Sequence, residues 1–277
     1  MIAPMVIALI AAVGYPLAYS FYLSLTNQKI TSRGDVDFVG LQQYSNAVAD
    51  PNYVQALVTT GTFVTSAVVL ELLLGMLLAL ALRRQRWMRD VTRSFLLTPM
   101  FITPIAVGLT FRFLLNGQLG VIPTVLGRLG LSVDFFGSGN ALWTIVFIDV
   151  WQWTPFMMLM LLAGLEGLPK QPFEAARVDG AGALYTFRRV TLPLLRPVIV
   201  VAVLIRSLDA LKVFEYVYAT TRGGPGIETQ TVQYYIYNTG ITFFRLGSAS
   251  AMAYLLLGIV VVLSTVLFSR MKKAGVR

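Results

Sequence analysis

The chain of 277 residues has no cysteine and no histidine, and only 13% of its residues are charged. These absences exclude thiolate and imidazole metal sites, a cysteine nucleophile and catalysis by histidine. The motif G-x-x-x-x-G-K-[ST] is also missing, so the chain has no P-loop that could hold nucleotide phosphates. We therefore expect no catalytic residue, no metal site and no cofactor bound by this chain.

Apolar residues dominate instead, at 56% of the chain with a mean hydropathy of +0.71. About 20 apolar residues in helical form cross the roughly 30 Å of hydrocarbon in a bilayer. The alternation expected of a transmembrane barrel is missing from Val68–Leu82. The pattern predicts an all-α membrane protein, one domain over 1–277, with about six transmembrane helices near 1–25, 54–82, 95–115, 142–163, 194–219 and 249–269.

The net charge of +9 is concentrated in alternate connections between the predicted spans. The basic connections contain Arg83, Arg84, Arg86, Arg89 and Arg93, then Lys170, Arg177, Arg188 and Arg189, then Arg270, Lys272, Lys273 and Arg277. The intervening connections are sparser, with Lys29, Arg33, Arg128, Arg222 and Arg245. By the positive-inside rule this pattern places the basic loops and both termini in the cytoplasm. It indicates membrane orientation rather than nucleic-acid binding.

The first apolar segment differs from a cleaved signal peptide. It lacks a basic flank and an A-x-A site, and Pro4 and Pro16 interrupt it. We expect a retained span, and the missing flank leads us to expect further residues upstream of Met1.

A polar, basic loop, 169–193, separates the fourth and fifth predicted spans. Phe173–Val178 has the composition of a short helix, and Gly180 accepts the backbone of a sharp turn. Ala181–Val190 is predicted to form a second helix that ends before Pro193 begins the next span. The loop should therefore be a helix-turn-helix.

The order Glu174-Ala175-Ala176, Gly180 and Leu192-Pro193 in this loop resembles the EAA loop of the membrane subunits of bacterial ABC importers. Other segments are similar to the carbohydrate permeases of the maltose-transporter type. They are IAPMVIALIAAVGYPLAYSFYLSLTN in the first span, FVGLQQY after it, WQWTPFMMLMLLAGLEGLP before the loop, and TRGGPGIETQT at 221–231. Together these matches cover most of the chain.

The resemblance implies a permease subunit of an ATP-driven, binding-protein-dependent carbohydrate importer in the bacterial inner membrane. The implied partners are two cytoplasmic ATPase subunits, which would bind ATP and Mg, a second homologous permease and an extracytoplasmic sugar-binding protein. The residues implied to couple the chain to the ATPase are Glu174, Ala175, Ala176, Asp179 and Gly180. Which sugar is carried stays open.

A sugar site needs aromatic platforms together with carboxylate, amide and guanidinium hydrogen-bonding groups. Helical spacing places four such residues on one face of the fourth span and three on one face of the fifth, the stretches where the resemblance locates substrate contact. These candidates for the substrate pathway are Asp149, Gln152, Trp153, Phe156, Arg206, Asp209 and Val213.

Some intramembrane charges have a competing explanation. Arg206 could pair with Asp149 or Asp209 to join helices, and Glu71 could form an interhelical hydrogen bond rather than contact substrate. Arg112 could either snorkel to the interface or line the pathway.

Other functions remain open at this point. One is an ABC importer for another small solute, such as glycerol phosphate or a polyamine. Another is a proton-coupled secondary sugar transporter with Glu71 and Asp149 as proton carriers. A third is a membrane scaffold that transports nothing.

Overall fold

The computed structural model describes residues 5–6, 10–31, 36–85 and 87–273, and these are predominantly helical. In chain order the α-helices are α1 (Tyr15–Ser24), α2 (Gln42–Ala49), α3 (Pro51–Arg84), α4 (Arg89–Leu97), α5 (Pro104–Leu114), α6 (Val121–Arg128), α7 (Ala141–Glu166), α8 (Gln171–Val178), α9 (Ala183–Thr186), α10 (Leu192–Ala210), α11 (Glu215–Ala219), α12 (Val232–Tyr237) and α13 (Leu246–Lys273). Short π-helical turns adjoin several of them, at Ile10–Gly14, Phe187–Thr191 and Asn238–Thr242, and a 3-10 turn lies at Thr98–Phe101. The predicted all-α fold is confirmed.

Among the described residues, four helices are long and apolar enough to cross a membrane, at Pro51–Arg84, Ala141–Glu166, Ala183–Ala210 and Leu246–Val266. A bent pair of helices, Arg89–Phe101 and Pro104–Leu114, brings the number to five if it counts as one span. The predicted count of six is therefore not confirmed.

The first predicted span, 1–25, is only partly described. Its helix α1 packs against α13, where the Phe21 and Tyr254 rings meet edge to face at 5.3 Å. The Tyr254 hydroxyl donates to the Leu17 carbonyl at 2.6 Å. Of the basic residues used to orient the chain, Arg33, Arg86 and Arg277 lie outside the described residues.

The third predicted span, 95–115, is a bent element rather than one straight helix. Its two parts meet at 92°. Pro99 and Pro104 have no N–H with which to continue a helix, so Thr98–Phe101 tightens to a 3-10 turn and Ile102 is extended. The break leaves the Ile102 carbonyl free to accept a hydrogen bond from another helix.

The fifth predicted span, 194–219, ends earlier than expected. Helix α10 stops at Ala210, and the short α11 begins only at Glu215. The intervening residues include Val213 and Phe214, which have weaker helix propensity than Leu211 and Lys212 before them. The Val213 carbonyl, freed by the break, accepts a hydrogen bond from the Thr231 hydroxyl at 3.0 Å.

The core of the bundle is the contact between α3 and α7, which run parallel. At Gly75 the two backbones come so close that an added Cβ would lie 3.0 Å from Met157. Gly164 has the same role toward α10, because a Cβ there would lie 2.8 Å from Leu195. Small residues allow such close approach of helices in membranes, where packing rather than the hydrophobic effect drives association.

Contacts of two arginine side chains show which helix ends lie together. The Arg83 guanidinium lies 5.3 Å from the centre of the Phe173 ring, and Arg89 pairs with Glu166. The carboxyl ends of α3 and α7 and the 169–193 loop therefore share one end of the bundle, which we call the basic end. The starts of α3, α7 and α13 lie at the opposite end, which we call the far end.

Candidate functional site

Arg206 lies at the centre of the bundle with only 1% of its surface exposed. Its Nε is 2.8 Å from Oε2 of Glu71, and its Nη2 donates to Oε1 of the same carboxylate at 2.9 Å. Nη2 also contacts the Asp149 carboxylate, and Nη1 is 3.2 Å from Oδ2 of Asp209. One guanidinium therefore joins α3, α7 and α10.

This ion cluster supports the pairing explanation of the intramembrane charges. Glu71 and Asp149 are buried, whereas the Asp209 side chain is 46% exposed. A buried charge far from water needs a partner and hydrogen bonds to be tolerated. Glu71 thus forms the interhelical contact that was one of its two predicted roles. On the Asp209 side, the ion cluster is open to solvent.

A second polar chain adjoins the ion cluster. The Tyr216 hydroxyl donates to Oε1 of Gln152 at 2.6 Å and accepts from the Trp153 indole N–H at 3.1 Å. Gln152 in turn donates to the carbonyl of Ile102 at 2.6 Å. The amide therefore satisfies a backbone acceptor that the proline break exposes, as buried polar groups require.

A cavity of about 170 Å³ lies between the two groups. The Trp153 ring forms one wall, and the Arg206 guanidinium stands 5.2 Å from the ring centre. The polar lining combines carboxylate, ammonium, guanidinium and phenol groups, from Asp149, Arg206, Asp209, Lys212, Glu215 and Tyr216. The cavity offers hydrogen bonds of both kinds beside an aromatic face, which is the chemistry that a polyhydroxylated molecule requires.

The predicted pathway residues converge on this cavity to different degrees. Five of them line it: Asp149, Trp153, Arg206, Asp209 and Val213. Gln152 supports it from behind through Tyr216, and Phe156 packs edge to face on Trp153 with ring centres 6.5 Å apart. Contact between any of them and a substrate stays a prediction.

Sequence reasoning missed Tyr216 and the Ile102 carbonyl. Both stand at helix breaks inside segments that were predicted to be single spans, so the periodicity gave no reason to separate them. The two prolines around Ile102 were a usable signal. Sequence reasoning also missed a contact of Arg112, whose guanidinium donates to the Ala219 carbonyl at 3.2 Å and so caps α11.

The 169–193 loop at the basic end folds as a helix, a turn and a second helix. Gly180 follows α8 with φ of 70°, in the left-handed region that favours glycine. Glu174 and Ala175 are exposed, whereas Ala176 is buried. Large apolar side chains on the loop are also open to solvent, with Val178 88% exposed, and such surfaces mark interaction sites.

The second half of the loop differs from the prediction. Ala181–Val190 was expected to be a separate helix that ends before Pro193. Instead, one helix runs from Ala183 to Ala210. The turn Phe187–Thr191 widens to a π-helix just before Pro193, which has no N–H to donate. The widened turn lets the helix continue through the proline.

At the far end, Glu228 joins two connections. Its carboxylate accepts hydrogen bonds from the Ser138 hydroxyl and, at 3.0 Å, from the Gly139 N–H. These bonds favour the charged form and hold the pKa of Glu228 below its ordinary value. The 221–231 segment is thereby tied to the connection before α7.

The bundle combines a buried polar cavity between membrane-spanning helices with an exposed helical elbow, the 169–193 loop, at the basic end. This combination is typical of a membrane transport subunit. Residues 71–274 match the family described as "Binding-protein-dependent transport system inner membrane component". The chain belongs to this family, which confirms the resemblance, and it is a transport permease subunit.

The sequences of related proteins align with nearly the whole length of this chain. The probable ABC transporter permease protein y4oQ of Sinorhizobium fredii is 37% identical over 97% of this chain and 87% of its own. The trehalose/maltose transport system permease protein MalF of Thermococcus litoralis is 35% identical over 89% of this chain and 83% of its own. In fold, the chain is similar to a bacterial ABC transporter involved in the import of the acidic polysaccharide alginate. The TM-score is 0.84 at 21% identity, covering 99% of this chain and 94% of the other.

Proposed function

We propose that this chain is one permease subunit of an ATP-driven importer of carbohydrate, with the cavity beside Trp153 as part of the sugar pathway. The cavity itself carries this proposal. It sets an aromatic wall opposite Arg206, Asp209 and Lys212 in the middle of an otherwise apolar bundle. Pairing accounts for the buried part of the ion cluster, but Asp209 and Lys212 also face the cavity, and intramembrane ionisable groups that face a cavity mark solute pathways.

The relatives support a carbohydrate as the solute. MalF of Thermococcus litoralis is described as a trehalose/maltose permease, and the solved transporter of similar fold given above is involved in alginate import. The balance of charges in the cavity favours neutral, hydroxyl-rich substrates. Arg206 is already engaged by three carboxylates, so it offers little unpaired positive charge to an anionic solute.

The energy for transport is supplied by other chains. We propose that Glu174 pairs with a basic residue of a cytoplasmic ATPase, that Ala175 and Ala176 allow its close approach, and that Asp179 and Gly180 form the turn. ATP and Mg would bind to that partner. Two ATPase subunits, a second homologous permease and an extracytoplasmic sugar-binding protein would complete the importer.

The same arrangement supports a proposed orientation of the chain in the inner membrane. Arg83, Arg89 and the 169–193 loop share the basic end, which the positive-inside rule assigns to the cytoplasm. Both termini would then be cytoplasmic, and the far end, with Glu228, would face the binding protein.

Reconstituted transport tests the proposal. Proteoliposomes that contain the complete complex and its binding protein should take up radiolabelled maltose or trehalose only when ATP is enclosed with the ATPase. Substitution of the P-loop lysine in the partner ATPase should abolish that uptake, whereas a protonophore should leave it unchanged. Uptake that survives the lysine substitution and stops with the protonophore would instead indicate a proton-coupled transporter.

A further inference from the structure

The far end of the bundle holds a second cavity, of about 510 Å³, between α2, α12 and the starts of α3 and α13. It shares no lining residue with the cavity beside Trp153. Its polar lining mixes amide, carboxylate, phenol, hydroxyl and guanidinium groups, from Gln43, Asn46, Asp50, Tyr235, Arg245 and Ser248.

Part of this lining is held in place without any ligand. The Tyr235 hydroxyl donates to Oδ2 of Asp50, whose Oδ1 accepts the Asn52 N–H at 2.9 Å. The hydroxyl of Ser248 is 2.8 Å from Oε1 of Gln43, to which it donates. Groups that are fixed in advance lose little conformational entropy on binding, so they suit a binding site.

Other lining groups have polar atoms to spare. The side chains of Asn46 and Arg245 are exposed and make no hydrogen bond or ion pair within the described part of the chain. The rings of Phe243 and Phe244 are 60% and 42% exposed at the edge of the cavity. Donors, acceptors and apolar ring faces therefore open into the same space.

The backbone at Phe244 is strained. Its φ of 59° lies in the left-handed region, which a bulky residue rarely adopts. The Phe244 carbonyl is anchored by the N–H of Ile30 at 3.0 Å, so the surrounding structure holds the strained conformation. Strain of this kind clusters at ligand-binding positions.

We propose that this cavity is an outer binding site for one neutral mono- or disaccharide. Asn46 and Arg245 donate to its hydroxyl oxygens, the carboxylate of Asp50 accepts from a hydroxyl, and Phe244 packs against its apolar face. A phosphate dianion fits poorly, because it has no hydrogen to offer the Asp50 carboxylate and would lie beside its negative charge. The inference rests on the proposed import of carbohydrate, and it adds a site at the entrance to the pathway.

Saturation-transfer difference NMR tests the proposal on the complete permease–ATPase complex in lipid nanodiscs, without binding protein. The probes are maltose and trehalose at millimolar concentration. Phe244→Gly removes the ring while keeping the left-handed backbone, and Asn46→Ala with Arg245→Ala removes two donors. Each variant should lower the signal of the bound sugar by half or more. Val48→Ala, on an exposed part of α2 outside the cavity, should leave it unchanged.

Three results would overturn the outer site: no signal from the wild-type complex, an unchanged signal in Phe244→Gly, or loss of a co-purifying phospholipid in Arg245→Ala by native mass spectrometry. The last would show that a lipid headgroup occupies the cavity. Failure of the proposed function is recognised separately, as absence of ATP-dependent sugar uptake by wild-type proteoliposomes. Normal uptake with an unaltered NMR signal in the variants contradicts only the outer site.

Discussion

Nε of Arg206 lies 2.8 Å from Oε2 of Glu71, a residue 135 positions earlier in the chain. This contact connects α10 to α3 where both helices also meet Asp149 of α7. Because all three side chains are withdrawn from water, the ion cluster sets the relative positions of the helices around the cavity.

Arg206→Met should therefore destabilise the bundle severely. The substitution leaves Glu71 and Asp149 as buried carboxylates without a counter-charge, a loss of about 3–5 kcal/mol. Thermal denaturation in detergent, followed by size-exclusion chromatography, measures it. Adding Glu71→Gln and Asp149→Asn should recover most of the stability, and Arg128→Met serves as the control. A stable single variant would contradict the structural importance of the cluster.

Tyr216→Phe should weaken the second polar chain without changing its shape. It leaves the acceptor of Gln152 and the indole N–H of Trp153 unsatisfied, at about 1–3 kcal/mol for each buried group. The same denaturation assay should show lower stability than for Tyr218→Phe, a partly exposed neighbour. Equal stability of the two variants would mean that water replaces the lost hydroxyl.

Trp153→Ala should lower sugar uptake while the subunits still assemble, because it removes the aromatic wall of the cavity. Trp151→Ala is the matched control: Trp151 points away from the cavity and packs on Phe111 at 5.3 Å. Uptake kinetics and co-purification of the ATPase should be measured together. If Trp153→Ala instead prevents assembly, the indole is a packing residue.

Glu174→Lys should weaken the binding of the ATPase to the permease. Removing one partner of a hydrogen-bonded charge pair at an interface costs about 2–5 kcal/mol. The variant should reach the membrane in normal amount yet fail to retain the ATPase on purification and lose most uptake. Asp90→Lys makes the same charge change elsewhere at the basic end and should have little effect. Normal uptake by Glu174→Lys would rule out this pairing.

The contact of Glu228 with Ser138 and Gly139 should depend on pH. Because the pKa of Glu228 is lowered in the folded chain, the stabilisation is complete above the ordinary pKa of a glutamate and disappears as the pH falls through the lowered pKa. The protection factors of the 221–231 amides, which are corrected for the slower intrinsic exchange in acid, should therefore decrease as the pH falls through that value. Glu228→Gln should show the lower protection factors at neutral pH, whereas Glu174→Gln should not. Protection factors independent of both pH and substitution would contradict the role of the carboxylate.

Sequence reasoning located the apolar helices, the 169–193 loop and most of the cavity, because hydrophobic length, proline and glycine act locally. It did not predict where helices stop inside the apolar segments. The third segment remains apolar through its break, and Lys212 is the one charged residue within the break of the fifth. The tertiary partners of Ile102 and Val213 satisfy the backbone groups exposed there. Tyr216 became visible as a cavity residue only after that break was known. The pairing of Arg206 with Glu71 and Asp149 could likewise not be decided in advance, because these partners lie on α3 and α7, and the sequence does not show that these helices meet α10 at this point.

The helix from Ala183 to Ala210 is continuous between the elbow and the ion cluster. At 1.5 Å per residue, Arg206 stands about 35 Å along the axis from Ala183. A displacement applied to the 169–193 loop would therefore reach the cavity beside Trp153 along one helix, which the widened turn at Phe187–Thr191 and the internal Pro197 interrupt locally. The proposed ATPase contact and the proposed sugar pathway would then be mechanically connected through this helix.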